Sequence, residues 1–203
     1  MGSGGLHYQS GDETLLAVVI GAVLATAGGF VSAQLEGVLR RRERERAAAL
    51  LFGEILSILE LITKLANDAR GRGEPYGPFT VRLIRAVRRE AETYDRNREA
   101  LYDLRNAELR GKIHALMVRL TLALEGFGDT GAQIALLENE IRTLGPEHPA
   151  LAETTARLEA LFEVRESTFD FAVESVGQIG PIVTVLRPLA KQDFGVYASV
   201  VRG

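Results

Sequence analysis

Three histidines, His7, His114 and His148, are the side chains of this chain best suited to hold a metal ion or to move protons near neutral pH. Their spacing argues against both uses. No pair follows a Glu-x-x-His or His-x-x-x-His pattern, the arrangement that sets two ligands on one helix face inside a bundle. His114, beside Ile113, reads as a helix-flank residue. His148, between Glu147 and Pro149, reads as a solvated turn residue, and His7 as part of a solvated tail. The chain has no cysteine, which removes disulfides, thiolate metal sites and cysteine nucleophiles together. Serines and threonines are scattered without a nucleophile elbow or a neighbouring base. Glu153, Glu159, Glu163 and Glu166 recur as the solvated face of an amphipathic helix. The sequence therefore assigns no catalytic residue, no metal and no cofactor, shows no small-molecule substrate, and does not read as an enzyme.

One glycine motif asks for a closer look. Gly126-Phe127-Gly128-Asp129-Thr130-Gly131 fits the GxGxxG of dinucleotide-binding folds, whose glycines need a strand before them and a βαβ unit around them. Here a helical pattern, residues 116–125, precedes the motif. The glycines are instead expected to stop one helix, with Thr130 and Gln133 as a capping box for a short helix over 131–144 that Gly145-Pro146 ends.

Net charge is −3, so no global field points to nucleic acid. The distribution is uneven. Residues 79–112 hold nine Lys or Arg against six Asp or Glu, and residues 128–175 hold three against ten, so the two stretches are complementary and are expected to lie together. The arginines of the first are interleaved with Glu90, Glu92, Asp95 and Glu99 at intrahelical pairing distances, a pattern of paired charge rather than of a phosphate-binding stripe.

The elements that would position any site are helical. The chain is 46% hydrophobic but 6% aromatic and rich in Ala, Leu, Arg and Glu, which predicts an all-α fold. Leu15 to Ala33 is nineteen residues without a charge, roughly 28 Å of helix and enough to cross a bilayer core. Asp12 and Glu13 precede it, and Arg40, Arg41, Arg42, Arg44 and Arg46 follow it. This is the reverse of a cleavable signal peptide, and by the positive-inside rule it places the C-terminal side in the cytoplasm. The same arginines suit anionic headgroups, with Glu43 and Glu45 reducing the attraction. Gly21, Ala25, Gly28 and Ser32, with Gly29 beside them, make one smooth helix face on which a second membrane helix can pack closely.

The expected division is a flexible outward tail over 1–13, a transmembrane helix over 14–35, and a juxtamembrane stalk over 36–70. A cytoplasmic helical hairpin or bundle over 79–190 and a tail over 191–203 complete it. The stalk stripe is Leu51, Ile55, Ile58, Ile62 and Leu65, widened by Leu56, Leu59 and Leu61, and it ends before Gly71 and Gly73. A second helix starts near Phe79 or Thr80 with Ile84, Val87, Ala91 and Tyr94 on one face. The stripe loses phase at 103–106, where Asn106 is a candidate N-cap, and resumes as Leu109, Ile113, Leu116, Leu120 and Ala123. Pro149 suits the start of a long helix carrying Leu151, Leu158, Phe162, Phe169, Ala172, Val176 and Ile179, which Thr155 and Arg165 interrupt. Gly180-Pro181 is expected to kink or stop it, and the apolar residues 182–189 are too few to span a bilayer.

The run Tyr94-Asp95-Arg96-Asn97-Arg98-Glu99-Ala100-Leu101 resembles the Tyr-x-x-Asn-x-x-x-Leu element of uncharacterised small bacterial single-pass membrane proteins. Those proteins place a membrane helix and an arginine-rich juxtamembrane stretch before it, in the same order as residues 14–127 here. Their glycine after the leucine is Tyr102 in this chain. The resemblance implies an anchored helical hairpin and brings no catalytic residue.

These features predict a membrane-anchored helical interaction module in a bacterial inner membrane, assembling with itself or with a helical protein partner. Arginine outnumbers lysine 21 to 3, in keeping with a GC-rich bacterial genome. Two further readings stand beside it: a sensory subunit that transmits change along the membrane-to-stalk helix, and a small membrane-active or pore-forming protein.

Overall fold

A computed structural model of the chain describes the backbone of residues 10–72, 76–145 and 147–194, and their side chains from residue 34 onward. Every regular element among the described residues is helical: α1 (Ser10–Arg70), α2 (Pro78–Arg96), a 3-10 segment (Arg98–Asp103), α3 (Ala107–Thr143), α4 (Leu151–Val176) and α5 (Ile179–Ala190). The chain divides into two compact units, Met1–Arg44 and Glu45–Gly203.

In the first unit the described side chains, residues 34–44, are all exposed. They include Leu35, Val38 and Leu39, three and four residues apart and therefore on one helix face. Arg40 reaches back one turn to Glu36 at 3.5 Å, an exposed pair of small energetic weight.

The second unit holds the core. Its part of α1 is covered along Ala49, Phe52, Leu56, Leu59, Thr63 and Ala66, with Ile55 beside them. Of the expected stripe and its flanking residues, Ile55, Leu56 and Leu59 are buried, while Leu51, Ile58, Leu61, Ile62 and Leu65 are only half-buried. Apolar residues surround this stretch of helix on most sides, so periodicity leaves the direction open and the partners decide it. Phe52 meets Tyr94 of α2 with ring centroids 5.9 Å apart and the rings tilted by 59°. Phe194 seats its ring on Gly53, where any Cβ would collide with it.

α2 begins slightly before the expected Phe79 or Thr80, with Gly77 at the N-cap and Pro78 in the first turn, where the missing N–H is no loss. It buries Val87, Ala91 and Tyr94. The Asn106 side chain accepts a hydrogen bond from the Leu109 N–H at 3.0 Å and so caps α3 as expected.

α3 then departs from expectation. It runs unbroken from Ala107 to Thr143, through Gly126, Gly128 and Gly131, so there is no helix stop and no capping box at Thr130, which is buried inside the helix. Interior glycines cost about 1 kcal/mol each relative to alanine. Gly128 admits a close neighbour in return, since an Arg88 amino nitrogen lies 3.0 Å from where its Cβ would sit; at Gly126 the Thr168 methyl, at 3.5 Å, would be in ordinary contact with a Cβ. α4 and α3 lie against each other along their lengths. Leu122 and Gly126 share a surface groove with Thr168 and Phe171, while Leu136 and Leu137 share one with Arg157, Leu161 and Val164.

The break after α4 falls at Gly177 and Gln178 rather than at Gly180-Pro181, and Pro181 sits in the first turn of α5, a position that tolerates it. The apolar residues 182–189 turn inward: Ile182, Val183 and Leu186 are buried in the core. Residues 151–190 are long and apolar enough to cross a membrane by length and composition, a test that core helices also pass. Of the tested window 39% is buried, and α5 carries much of that through Ile179, Ile182, Val183, Leu186 and Ala190. Residues 1–9, including His7, and residues 195–203 lie outside the described residues.

Candidate functional site

The residues singled out in the sequence separate into two groups. Gly21, Ala25, Gly28, Gly29 and Ser32 are on the helical backbone of α1, but their side chains lie outside the described residues. Arg40, Arg41, Arg42 and Arg44 are exposed in the first unit. Arg46 differs from them. It belongs to the second unit and donates from Nε to the Ala190 carbonyl at 3.2 Å, closing the C-terminal end of α5 where Lys191 turns into the left-handed region at φ 55°. Glu45 is also engaged: Arg105 meets it through its side chain at 3.2 Å and its backbone N–H at 3.1 Å.

The two described histidines form no constellation. His114 lies 3.2 Å from the Tyr94 hydroxyl, and His148 Nδ1 accepts from the Ala150 N–H at 3.2 Å within its own turn. Among the described residues no three His, Asp or Glu side chains converge as a metal site.

A site that the sequence did not announce lies in the second unit, where the turn before α2 meets α2, α3 and α4. Tyr76, Phe127 and Phe169 form a three-ring cluster with centroids 5.6 to 6.4 Å apart. Two arginines flank it. Arg70 lies 4.5 Å over the Phe169 ring and pairs with Asp170 at 2.7 Å and Glu166 at 3.3 Å. Arg165 lies 3.8 Å over the Tyr76 ring and 5.0 Å from that of Phe162. The acidic face of α4 is thus met by a cation from α1, where charge counting pointed to α2.

Burial pushes the Tyr76 phenol up to about 12, with the Glu166 carboxylate acting in the same direction, so the hydroxyl keeps its proton across the physiological range. Burial pulls Arg70 down, but Asp170 and Glu166 outweigh it and raise it overall. The Tyr76 hydroxyl and the Arg165 Nε are both buried and make no hydrogen bond of good geometry.

Beside this cluster opens a groove of about 560 Å³. Its walls include Ile84, Leu124, Phe127 and Ile134. Arg85 and Arg88 of α2 and Arg165 of α4 supply cations, and Glu138 supplies the acidic group. Arg88 is steadied by donating to the Leu124 carbonyl at 3.0 Å, a position open to it because residue 128 has no side chain. Cations above an apolar and aromatic wall favour an anionic ligand with an apolar body.

Two local signals point toward this groove: Arg165 as a cation inside an apolar stripe, and glycines inside a helix that they do not end. Comparison with known proteins gives no match, whether with a family model, a curated protein or a solved structure.

Proposed function

We propose that the chain is a membrane-anchored helical interaction module of a bacterial inner membrane. In this reading residues 14–35 span the bilayer with the tail 1–13 outside. Residues 36–70 form the juxtamembrane stalk, and residues 79–190 form a cytoplasmic bundle in which α3 and α4 are an antiparallel hairpin. Its membrane helix packs through Gly21, Ala25, Gly28, Gly29 and Ser32 against a second copy or a helical partner. The likeness of residues 14–127 to small bacterial single-pass membrane proteins belongs to the same proposal.

One observation carries it. The charge-free run Leu15–Ala33 lies within a single continuous helix and is followed by eleven residues, 34–44, that are exposed and include Arg40, Arg41, Arg42 and Arg44. Exposed leucines and a valine among those arginines suit the boundary between hydrocarbon and headgroups, where apolar and basic side chains are both accommodated.

The test is protease accessibility of tags at the two ends, in intact cells and in inverted membrane vesicles. A C-terminal tag protected in cells and cleaved in inverted vesicles is the expected result. Recovery of the chain in the soluble fraction would overturn the anchor, and cleavage of the C-terminal tag in intact cells would overturn the orientation.

A further inference from the structure

The groove between α2, α3 and α4 is independent of how the chain meets a membrane, and its chemistry is specific enough to name a ligand class. Its volume of about 560 Å³ falls within the range of small-molecule sites. Three arginines and one glutamate leave the lining with an excess of two positive charges. A monocarboxylate would leave part of that excess unmatched, whereas a phosphomonoester is close to a dianion at neutral pH.

The donors are also in place. The Arg165 guanidinium carbon lies 3.8 Å over the Tyr76 ring, and its side chain lines the groove. Arg85 has no hydrogen bond or ion pair among the described residues. Arg88 is held by the Leu124 carbonyl near the same wall. Phe127, Ile134 and Leu124 supply the surface for an apolar body.

From this geometry we infer that the groove binds an organic phosphate, a phosphomonoester carrying an aromatic or acyl body, with Arg85, Arg88 and Arg165 holding the phosphate. Two sources share that chemistry: a soluble aryl or alkyl phosphate, and the headgroup of a phosphatidic acid-type lipid.

The experiment is calorimetric titration of the full chain in a nonionic detergent with naphthyl phosphate, and with naphthol as the uncharged control. One equivalent of naphthyl phosphate is expected to bind at least about tenfold more tightly than naphthol. Arg85→Met is expected to weaken it by about tenfold. Glu138→Gln is expected to tighten it, because a like charge leaves the site. Gly131→Leu is expected to abolish it: a Cβ there meets nothing within 4 Å and its side chain fills the groove. Helix content and thermal midpoint of each variant confirm folding. Arg165→Met, which disturbs the aromatic cluster, serves only if it passes that check.

Monomeric dihexanoyl phosphatidic acid as competitor separates the sources. Displacement of naphthyl phosphate assigns the groove to a lipid headgroup, and failure to displace it assigns it to a soluble phosphate. Equal binding of naphthol, no binding of naphthyl phosphate, or undiminished binding by folded Gly131→Leu each overturns the inference.

Discussion

Residues 34–44 and 48–66 belong to one helix, yet their surroundings are opposite. In the first stretch every side chain is exposed, including three large apolar ones. In the second only Glu60 and Lys64 are exposed. Tertiary burial accounts for the second: covering a leucine or phenylalanine contributes about 2 to 3 kcal/mol. It does not account for the first, which contains Gly37 and depends on its own propensity and on continuity with a helix already nucleated. A surface of Leu35, Val38 and Leu39 among arginines is what an anchored helix would present at a membrane boundary, and the comparison gains its functional weight there.

The sharpest way to break the contrast is to remove the centre of the buried stretch. Phe52 is fully covered and packs on Tyr94. Phe52→Ala is expected to lower the stability of the second unit by about 3 to 5 kcal/mol, through lost burial and the cavity left behind. Urea unfolding followed by helix content measures this. A loss under about 1 kcal/mol would mean that the core is not built around this residue.

A smaller effect is expected at the neighbouring position. Gly53→Ala places a methyl group where the Phe194 ring sits, so the ring must leave or the helix must shift. The expected loss is about 1 to 3 kcal/mol. Since the clash is with one side chain, Phe194→Ala in the same chain should recover part of it, and the two losses should not add. Strict additivity in a double-mutant cycle would show that the C-terminal segment does not rest on α1.

How much of this was legible in the sequence follows from how local each cause is. The Asn106 cap was readable because a cap needs one side chain and a donor three residues on. The end of α1 near Gly71 was readable from its glycines, while α2 starts at Pro78, one or two residues before the expected Phe79 or Thr80, since a first turn tolerates proline. The passage of α3 through Gly126, Gly128 and Gly131 was not, because it depends on packing from other helices, such as Arg88 close against Gly128. The buried face of α1 was legible in part, at Ile55, Leu56 and Leu59, since the pattern is apolar on most sides. The groove was out of reach altogether: Tyr76, Arg85, Arg88 and Arg165 come from three elements and meet only in the fold. Position 165 was visible only as an interruption.

The aromatic cluster gives a pH-dependent version of the comparison, because the exposed stretch has no tyrosine while the second unit has Tyr76 and Tyr94, both shifted upward first by burial. Tyr76 moves from an ordinary 10.0 to about 12. Between those values the folded chain keeps a proton that the unfolded chain has lost, so this contribution to stability is complete below pH 10 and falls as pH rises toward 12. Tyr76→Phe should flatten part of that fall and leave the part due to Tyr94. An unchanged slope would show that the Tyr76 ring is solvated.

The smallest effect is expected on the exposed side. Leu35→Gln together with Leu39→Gln should change the unfolding free energy of the second unit by less than about 0.5 kcal/mol, since neither leucine is covered by the chain. The measurement is the same urea titration used for Phe52→Ala, on the full chain in detergent, so the two numbers are directly comparable. A loss of about 2 kcal/mol or more would place both leucines under cover within the protein. The contrast between the two stretches of α1 would then disappear, and with it the reason for assigning the exposed one to a membrane boundary. If stability is untouched while the chain shifts from the membrane fraction toward release at alkaline pH, the apolar face acts on the bilayer and not on the fold.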